Sequence, residues 1–272
     1  MSVKAVHKPG GRVVIRSVAL PTEHGGWGFL IEPIVLGLLA APTFAGFLLG
    51  IAAVGVFLVH QPLKVAIKDR RKGVRPPRAV WAERFAASYG LVGAVAFIAV
   101  LALTPSPDFL VPLALAVPLA SVQLVYDARN QSRRLAPELS GACALAMTAS
   151  AIAVLGGWDI LPSLVLWLIA SMRAIISILH VRARLKLERK KAQSPWLVWA
   201  VHGAALIVMI ALIIVGRAPW LGAAAFTILL GRTVIGLSRY RTSRSPKVIG
   251  MMEMGYGFVT SILTGTGYSI GV

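Results

Sequence analysis

Nine stretches of mostly apolar residues follow one another along the chain, near 26–41, 44–66, 82–103, 109–126, 138–155, 160–180, 195–215, 219–237 and 251–270. Each is close to the ~20 residues a helix needs to cross a bilayer. Turn-forming residues separate several of them: Ala41-Pro42-Thr43, Thr104-Pro105-Ser106-Pro107, Gly156-Gly157 and Arg217-Ala218-Pro219. The 272 residues are 57% hydrophobic and 14% charged, and carry a net charge of +18. A soluble domain is about 45–50% apolar and about 25% charged. The balance excludes a soluble enzyme and a disordered chain. It also excludes a nucleic-acid binder, which would explain the charge but not the mean hydropathy of +0.77. The expected fold class is therefore all-α, a polytopic integral membrane bundle of about nine transmembrane helices. A basic cytoplasmic segment (1–20) precedes one transmembrane domain (21–272). No apolar signal segment follows Met1, since polar and basic residues run to Arg16. The one cysteine, Cys143, lies in an apolar run and reads as a small packed side chain.

The basic residues orient this arrangement. Nine spans put 27 of the 28 lysines and arginines on one face, leaving Arg217 alone on the other. Positive charge marks the cytoplasmic side, so the N-terminus is expected inside and the C-terminus outside. One span more or fewer would scatter the basic loops over both faces.

The few carboxylates suggest an internal repeat. Glu23, Glu138 and Glu253 lie 115 residues apart, as do Trp81 and Trp196. Leu58-Val59-His60 and Ile178-Leu179-His180 each precede a basic residue four positions on, Lys64 and Arg184. These coincidences predict two tandem four-helix units, about 21–135 and 136–250, plus a ninth helix at 251–270. An even number of spans per unit makes the copies parallel, related by an axis along the membrane normal. The second and sixth spans then become symmetry mates whose polar ends, at His60 and His180, form the expected site.

Ionisable residues at membrane depth are functional candidates by default. The first cluster is Glu23-His24-Gly25-Gly26-Trp27, with Glu32 nine residues on and inside a span, where a lone acid requires a basic partner. The second is His60, Lys64 and Lys68 on one helical face, beside Asp69, with Pro62 as a kink or stop. The third is Arg173, His180, Arg184 and Glu188. The fourth is the loop Tyr126 to Arg134, holding Asp127, Arg129, Asn130 and Arg133, followed by Glu138, with Arg239 to Lys247 before Glu253 as its repeat counterpart. Converging Arg and Lys suit phosphate-like anions. The plainer readings are a polar helix start for Glu23, snorkelling for the outer lysines, and anionic lipid head groups for the loops. No P-loop, HExxH motif or thiol pair occurs, and no metal site is read.

Pro21-Thr22-Glu23-His24-Gly25-Gly26-Trp27, running into Glu32-Pro33 and Gly37-Leu38-Leu39, resembles the opening of the YwiC-like family of bacterial membrane proteins. Asp127-Ala128-Arg129-Asn130-Gln131-Ser132-Arg133-Arg134 is compatible with it. The resemblance implies a multi-pass protein of the bacterial inner membrane and brings no settled activity. The architecture is also distantly similar to the UbiA prenyltransferase superfamily. That similarity implies nine helices, with polar sites on the second and sixth that bind Mg²⁺ and a prenyl diphosphate. The sequence departs there: where carboxylates spaced by four would stand it has His60, Lys64, Lys68 and His180, Arg184, Glu188. The departure argues against Mg²⁺, and no other cofactor is read.

Three functions follow. In the first, an intramembrane transferase acts on an isoprenyl diphosphate or similar anionic lipid in a basic, cytoplasm-facing cavity. Lys64, Lys68, Arg173 and Arg184 would hold the leaving group, with Asp69, Asp127, Arg129, Asn130, Arg133, Glu138 and Glu253 completing the binding set. His60 or His180 would move a proton, oriented by Glu23, His24 or Glu32. In the second, the protein is a transporter for a small anion or lipid. The third is a non-catalytic membrane subunit. The expected partners are the bilayer with its anionic head groups and a lipidic diphosphate, with no nucleic acid.

Overall fold

The computed structural model describes residues 15–20, 24–71, 73 and 76–271, with side chains from 17 to 20 and from Gly26 onwards. Glu23 lies outside the described residues, and so does the side chain of His24. The elements are helices throughout: α1 (Ile15–Ala19), α2 (His24–Ala40), α3 (Phe44–Arg71), α4 (Pro77–Leu103), α5 (Leu110–Ala128), α6 (Leu135–Leu155), α7 (Ile160–Glu188), α8 (Trp196–Ile214), α9 (Trp220–Leu237) and α10 (Pro246–Ile270). A 3-10 turn, Pro107–Phe109, leads into α5.

Local chemistry sets these boundaries. Thr43 Oγ1 accepts from Gly46 N at 3.0 Å and so caps α3 after the Ala41-Pro42-Thr43 turn. Ser245 caps α10 in the same way, with Pro246 in the first helical position. The last turn of α10 closes on Gly271, whose φ of 72° is left-handed. Helix α3 runs through Pro62 to Arg71, and α7 runs past His180 to Glu188. His60 and His180 therefore stand inside their helices rather than at the ends. Both helices extend in basic turns that a polar boundary can solvate.

Seven helices, α3 to α9, are long and apolar enough to cross a bilayer, which makes the chain a multi-pass helical membrane protein. The two other long helices coincide with expected spans but fall short by different routes. The apolar part of α2 is only Gly26–Ala40. The 17 described residues of α2 rise about 25 Å, against ~30 Å of hydrocarbon. Helix α10 has 25 residues, but Gly, Ser, Thr and Glu253 dilute its apolar content. These two helices pack on one another.

Helix α2 has no exposed residue from Gly26 to Ala40, and it touches α3, α6, α7 and α10. Helices α6 and α7 are similarly enclosed over 137–155 and 162–185. The outer helices α4, α5, α8 and α9 carry the exposed apolar faces, as in Leu91, Ile98, Val117, Ile207 and Ile235. Two layers of core hold the bundle. One gathers Leu36, Leu166, Ile169, Met209 and Phe226, and the other Leu30, Leu49, Val100, Phe109 and Ile152. Small residues allow the closest approaches. A Cβ on Gly55 of α3 would come within 2.8 Å of Gly93 Cα in α4, so only glycine fits that crossing.

Candidate functional site

Helix α7 carries the central feature. Arg173, Ser177, His180, Arg184 and Glu188 are spaced four, three, four and four, which puts all five on one stripe. The stripe climbs about 22 Å along the helix, from the middle of the bundle to the end bearing the 189–195 and 238–245 connections.

Its deep end is an ion network between four helices. Arg173 Nε pairs with Glu32 Oε2 of α2 at 3.0 Å, and both side chains are almost fully buried. Arg173 Nη2 also donates to the Glu253 carbonyl oxygen at 2.7 Å, tying α7 to α10. The Glu253 carboxylate accepts from Ser177 Oγ at 2.6 Å and pairs with Arg232 Nη1 of α9. His180 Nε2 lies 3.9 Å from Glu253 Oε1. Two guanidiniums thus face two carboxylates, and this balance makes burial of the four groups tolerable. Gly257 supplies the space: a Cβ there would fall on Glu32 Oε1 and Arg173 Nη2.

Behind this network, α8 and α9 contribute a neutral polar pair. His202 Nδ1 bonds the Val198 carbonyl and its Nε2 meets Thr233 Oγ1, both at 2.8 Å. The His202 and His180 rings lie 6.4 Å apart, edge to face. Toward the loops, Arg184 donates to the carbonyls of Gly236 and Thr242 and pairs with Glu188 at 3.0 Å, while Ser243 Oγ donates to Glu188 at 2.6 Å.

The network leaves some groups without hydrogen-bond partners. Glu32 Oε1, His180 Nδ1, Arg232 Nε and Arg232 Nη2 are buried and unsatisfied, as is Thr264 Oγ1. An interior cavity of about 20 Å³, lined by Phe29, Glu32, Ala146, Arg173, Ser261 and Thr264, adjoins Glu32. It has room for about one water. A groove of about 340 Å³ opens at the loop end, where Glu188, Arg189, Ser243 and Arg244 line it.

The other sequence candidates form a separate group. Asp127, at the end of α5, takes Lys64 Nζ at 2.6 Å and His60 Nε2 at 3.3 Å from α3. Asp69 is buried and held by Arg78 through a two-point contact at 2.7 and 2.8 Å. Glu138 pairs with Arg182 at 2.6 Å. Lys68, Arg129, Asn130 and Arg133 are exposed, and Asn130 adopts a φ of 56°. His60 thus pairs with α5, whereas His180 faces α10 and α8. The structure brings together Glu32, Arg173, His180 and Glu253, but it does not join the His60 group to them.

Sequence reasoning missed Arg232, Ser177, His202 and Thr233. Arg232 had one readable signal, as a charge five residues inside the α9 apolar run. Among the described residues no group of three or more His, Cys, Asp and Glu side chains stands together to hold a metal.

The sequence model of the YwiC-like protein family matches residues 20–154, which bears out the resemblance carried by the opening segment. The match spans α2 to α6, and so includes Glu32, His60 and Asp127 but not the α7–α10 side of the network. No curated protein and no solved structure matches the chain.

Proposed function

We propose that this multi-pass membrane protein, YwiC-like over residues 20–154, acts in the bacterial inner membrane on an anion-bearing lipid. The simplest such substrate is an isoprenyl diphosphate, taken at the cytoplasmic side as an intramembrane transferase would take it. The observation that carries the reading is the one-sided stripe of α7. Its charged groups begin at the basic end and stop at Arg173, deep among apolar helices. A conducting path would continue to the far side. There, among the described residues, the charged groups are Asp108, Asp159 and Arg217, all at the helix ends. A polar interior with one door is a binding site rather than a channel. Fixed cations in such a site stabilise the charge of an anionic group, including one developing on a leaving diphosphate. The tail needs no internal cavity, because the outer helices already face lipid.

The orientation, with the N-terminus inside, follows from the basic loops. The paired four-helix units and a UbiA-like arrangement belong to the same proposal. The residues do not fit the Mg²⁺ that the UbiA resemblance implies. At the matched helix positions His60 and Lys64 share Asp127, while His180 and Arg184 face Glu253 and Glu188, carboxylates already paired with arginines.

The test is thermal stabilisation of the purified chain in mild detergent by prenyl diphosphates of several lengths, each run with Mg²⁺ and with chelator. Inorganic diphosphate is the control. A ligand at 100 times its Kd adds about 2.7 kcal/mol. Stabilisation that needs the tail and survives chelation is expected. A response to none of the ligands overturns the reading.

A further inference from the structure

Among the described residues, Arg232 has the one buried guanidinium edge in the network that no acceptor occupies. Its Nη1 is committed to Glu253, while Nε and Nη2 have no acceptor. The side chain is only 7% exposed, so bulk solvent does not reach them. Nε–H and Nη2–H form the side-on fork that matches two oxygens of a phosphate or carboxylate. What the guanidinium has instead is the ring of Tyr256, 5.3 Å from Cζ to centroid, a contact to its face that leaves the edge free. His180 Nδ1, also buried and unpartnered, belongs to the same network through Glu253.

The surroundings indicate where an occupant comes from. Arg232 and Tyr256 lie on the seam between α9 and α10. The outer side of that seam is apolar and exposed: Ile228 and Ile235 on α9, with Met252, Val259 and Ile262 on α10. Gly231 and Gly255, the immediate neighbours of Arg232 and Tyr256, are exposed, and a Cβ on either would meet nothing within 4 Å. The wall over the fork is therefore thinnest toward lipid. Arg232 stands five residues from the end of α9, about 8 Å below the basic end. That depth is within reach of a lipid head group drawn slightly inward.

We propose that Arg232 is the anion seat of the protein. Its Nε/Nη2 fork binds the phosphate of a single-chain lipid phosphate or diphosphate that enters sideways between α9 and α10, past Gly231, Gly255 and Tyr256, with the tail remaining in the bilayer. The proposal rests on the function proposed above and gives it a residue and a route.

The experiment uses the full chain in lipid nanodiscs and measures affinity by native mass spectrometry and thermal shift. The probes are farnesyl diphosphate, farnesyl phosphate, farnesol, inorganic phosphate and dioleoyl phosphatidic acid. Farnesyl phosphate and diphosphate are expected to bind, and farnesol is not. Arg232→Lys keeps the charge but not the fork and is expected to weaken binding at least tenfold. Arg232→Gln combined with Glu253→Gln removes the ion pair as a unit, so the chain stays folded, and is expected to abolish binding. Arg217→Gln, an exposed change at the opposite end of the bundle, is the control and leaves affinity unchanged. Tail-dependent binding that Arg232→Lys does not alter overturns the proposal while the functional reading stands. Equal binding of inorganic phosphate overturns the lipid route. Preference for phosphatidic acid over the farnesyl probes overturns the single-chain substrate. Binding of none of the probes by the wild-type chain overturns both the proposal and the reading beneath it.

Discussion

Two glycines two residues apart on α10 should respond in opposite ways to the same substitution. At Gly257 an added methyl falls on Glu32 Oε1 and Arg173 Nη2. Both atoms end long side chains, so rotation could relieve the overlap itself. Rotation would also separate Glu32 from Arg173, which sit 3.0 Å apart, and take Nη2 from the Glu253 carbonyl. Breaking a buried pair costs about 3–5 kcal/mol. Alanine returns about 1 kcal/mol of helix propensity, so Gly257→Ala is expected to lose about 2–4 kcal/mol. At Gly255 the added methyl meets nothing. Only the propensity term operates, and Gly255→Ala is expected to be neutral or up to about 1 kcal/mol more stable. Reversible unfolding in mixed micelles, with wild type and both variants side by side, reads the difference. If the two variants are equally stable, Gly257 does not make room for the ion pair and the account of the interior is wrong.

The remaining predictions concern the same network and its orientation. Glu253→Gln leaves Arg232 buried without its counter-charge and is expected to cost about 3–5 kcal/mol; Arg232→Met with Glu253→Leu should unfold later than Glu253→Gln alone. Thr233→Val removes the 2.8 Å partner of His202 Nε2 and is expected to cost about 1–3 kcal/mol, which His202→Phe in the same chain should largely restore. A phosphatase that works only outside the cytoplasmic membrane, fused after Val272, is expected to be active. Fused within the 238–245 connection it is expected to be inactive, and the reverse pattern inverts the topology.

Hydropathy and turn residues alone located nine helices, from α2 to α10, to within five residues except at the end of α7, which runs eight residues past the expected 180 to Glu188. In lipid every backbone group must be satisfied within its own segment, so a long apolar run has one regular option. The charge asymmetry likewise needed no contacts to be read. Glu32 and Arg173 were recognisable as site residues, because an ionisable group inside a span requires a partner. Which partner it takes was not recognisable. Glu32 and Arg173 are 141 residues apart, and Arg173 meets the Glu253 backbone across 80. Near-symmetric matching of His60 with His180 suggested that these two would share a site, yet one faces α5 and the other α10. Arg232 resembled any basic residue close to a helix end.

What the sequence by itself determined is the set of helices, since whether a segment is helical here depends on the solvent it meets. The tertiary structure alone decided that α2, α6 and α7 lie inside, that Glu253 joins Arg232 and Ser177, and that one arginine edge meets no acceptor among the described residues. A helix apolar on every side carries no stripe to say which face turns inward. That choice is made by close packing and by charges finding counter-charges across distant segments.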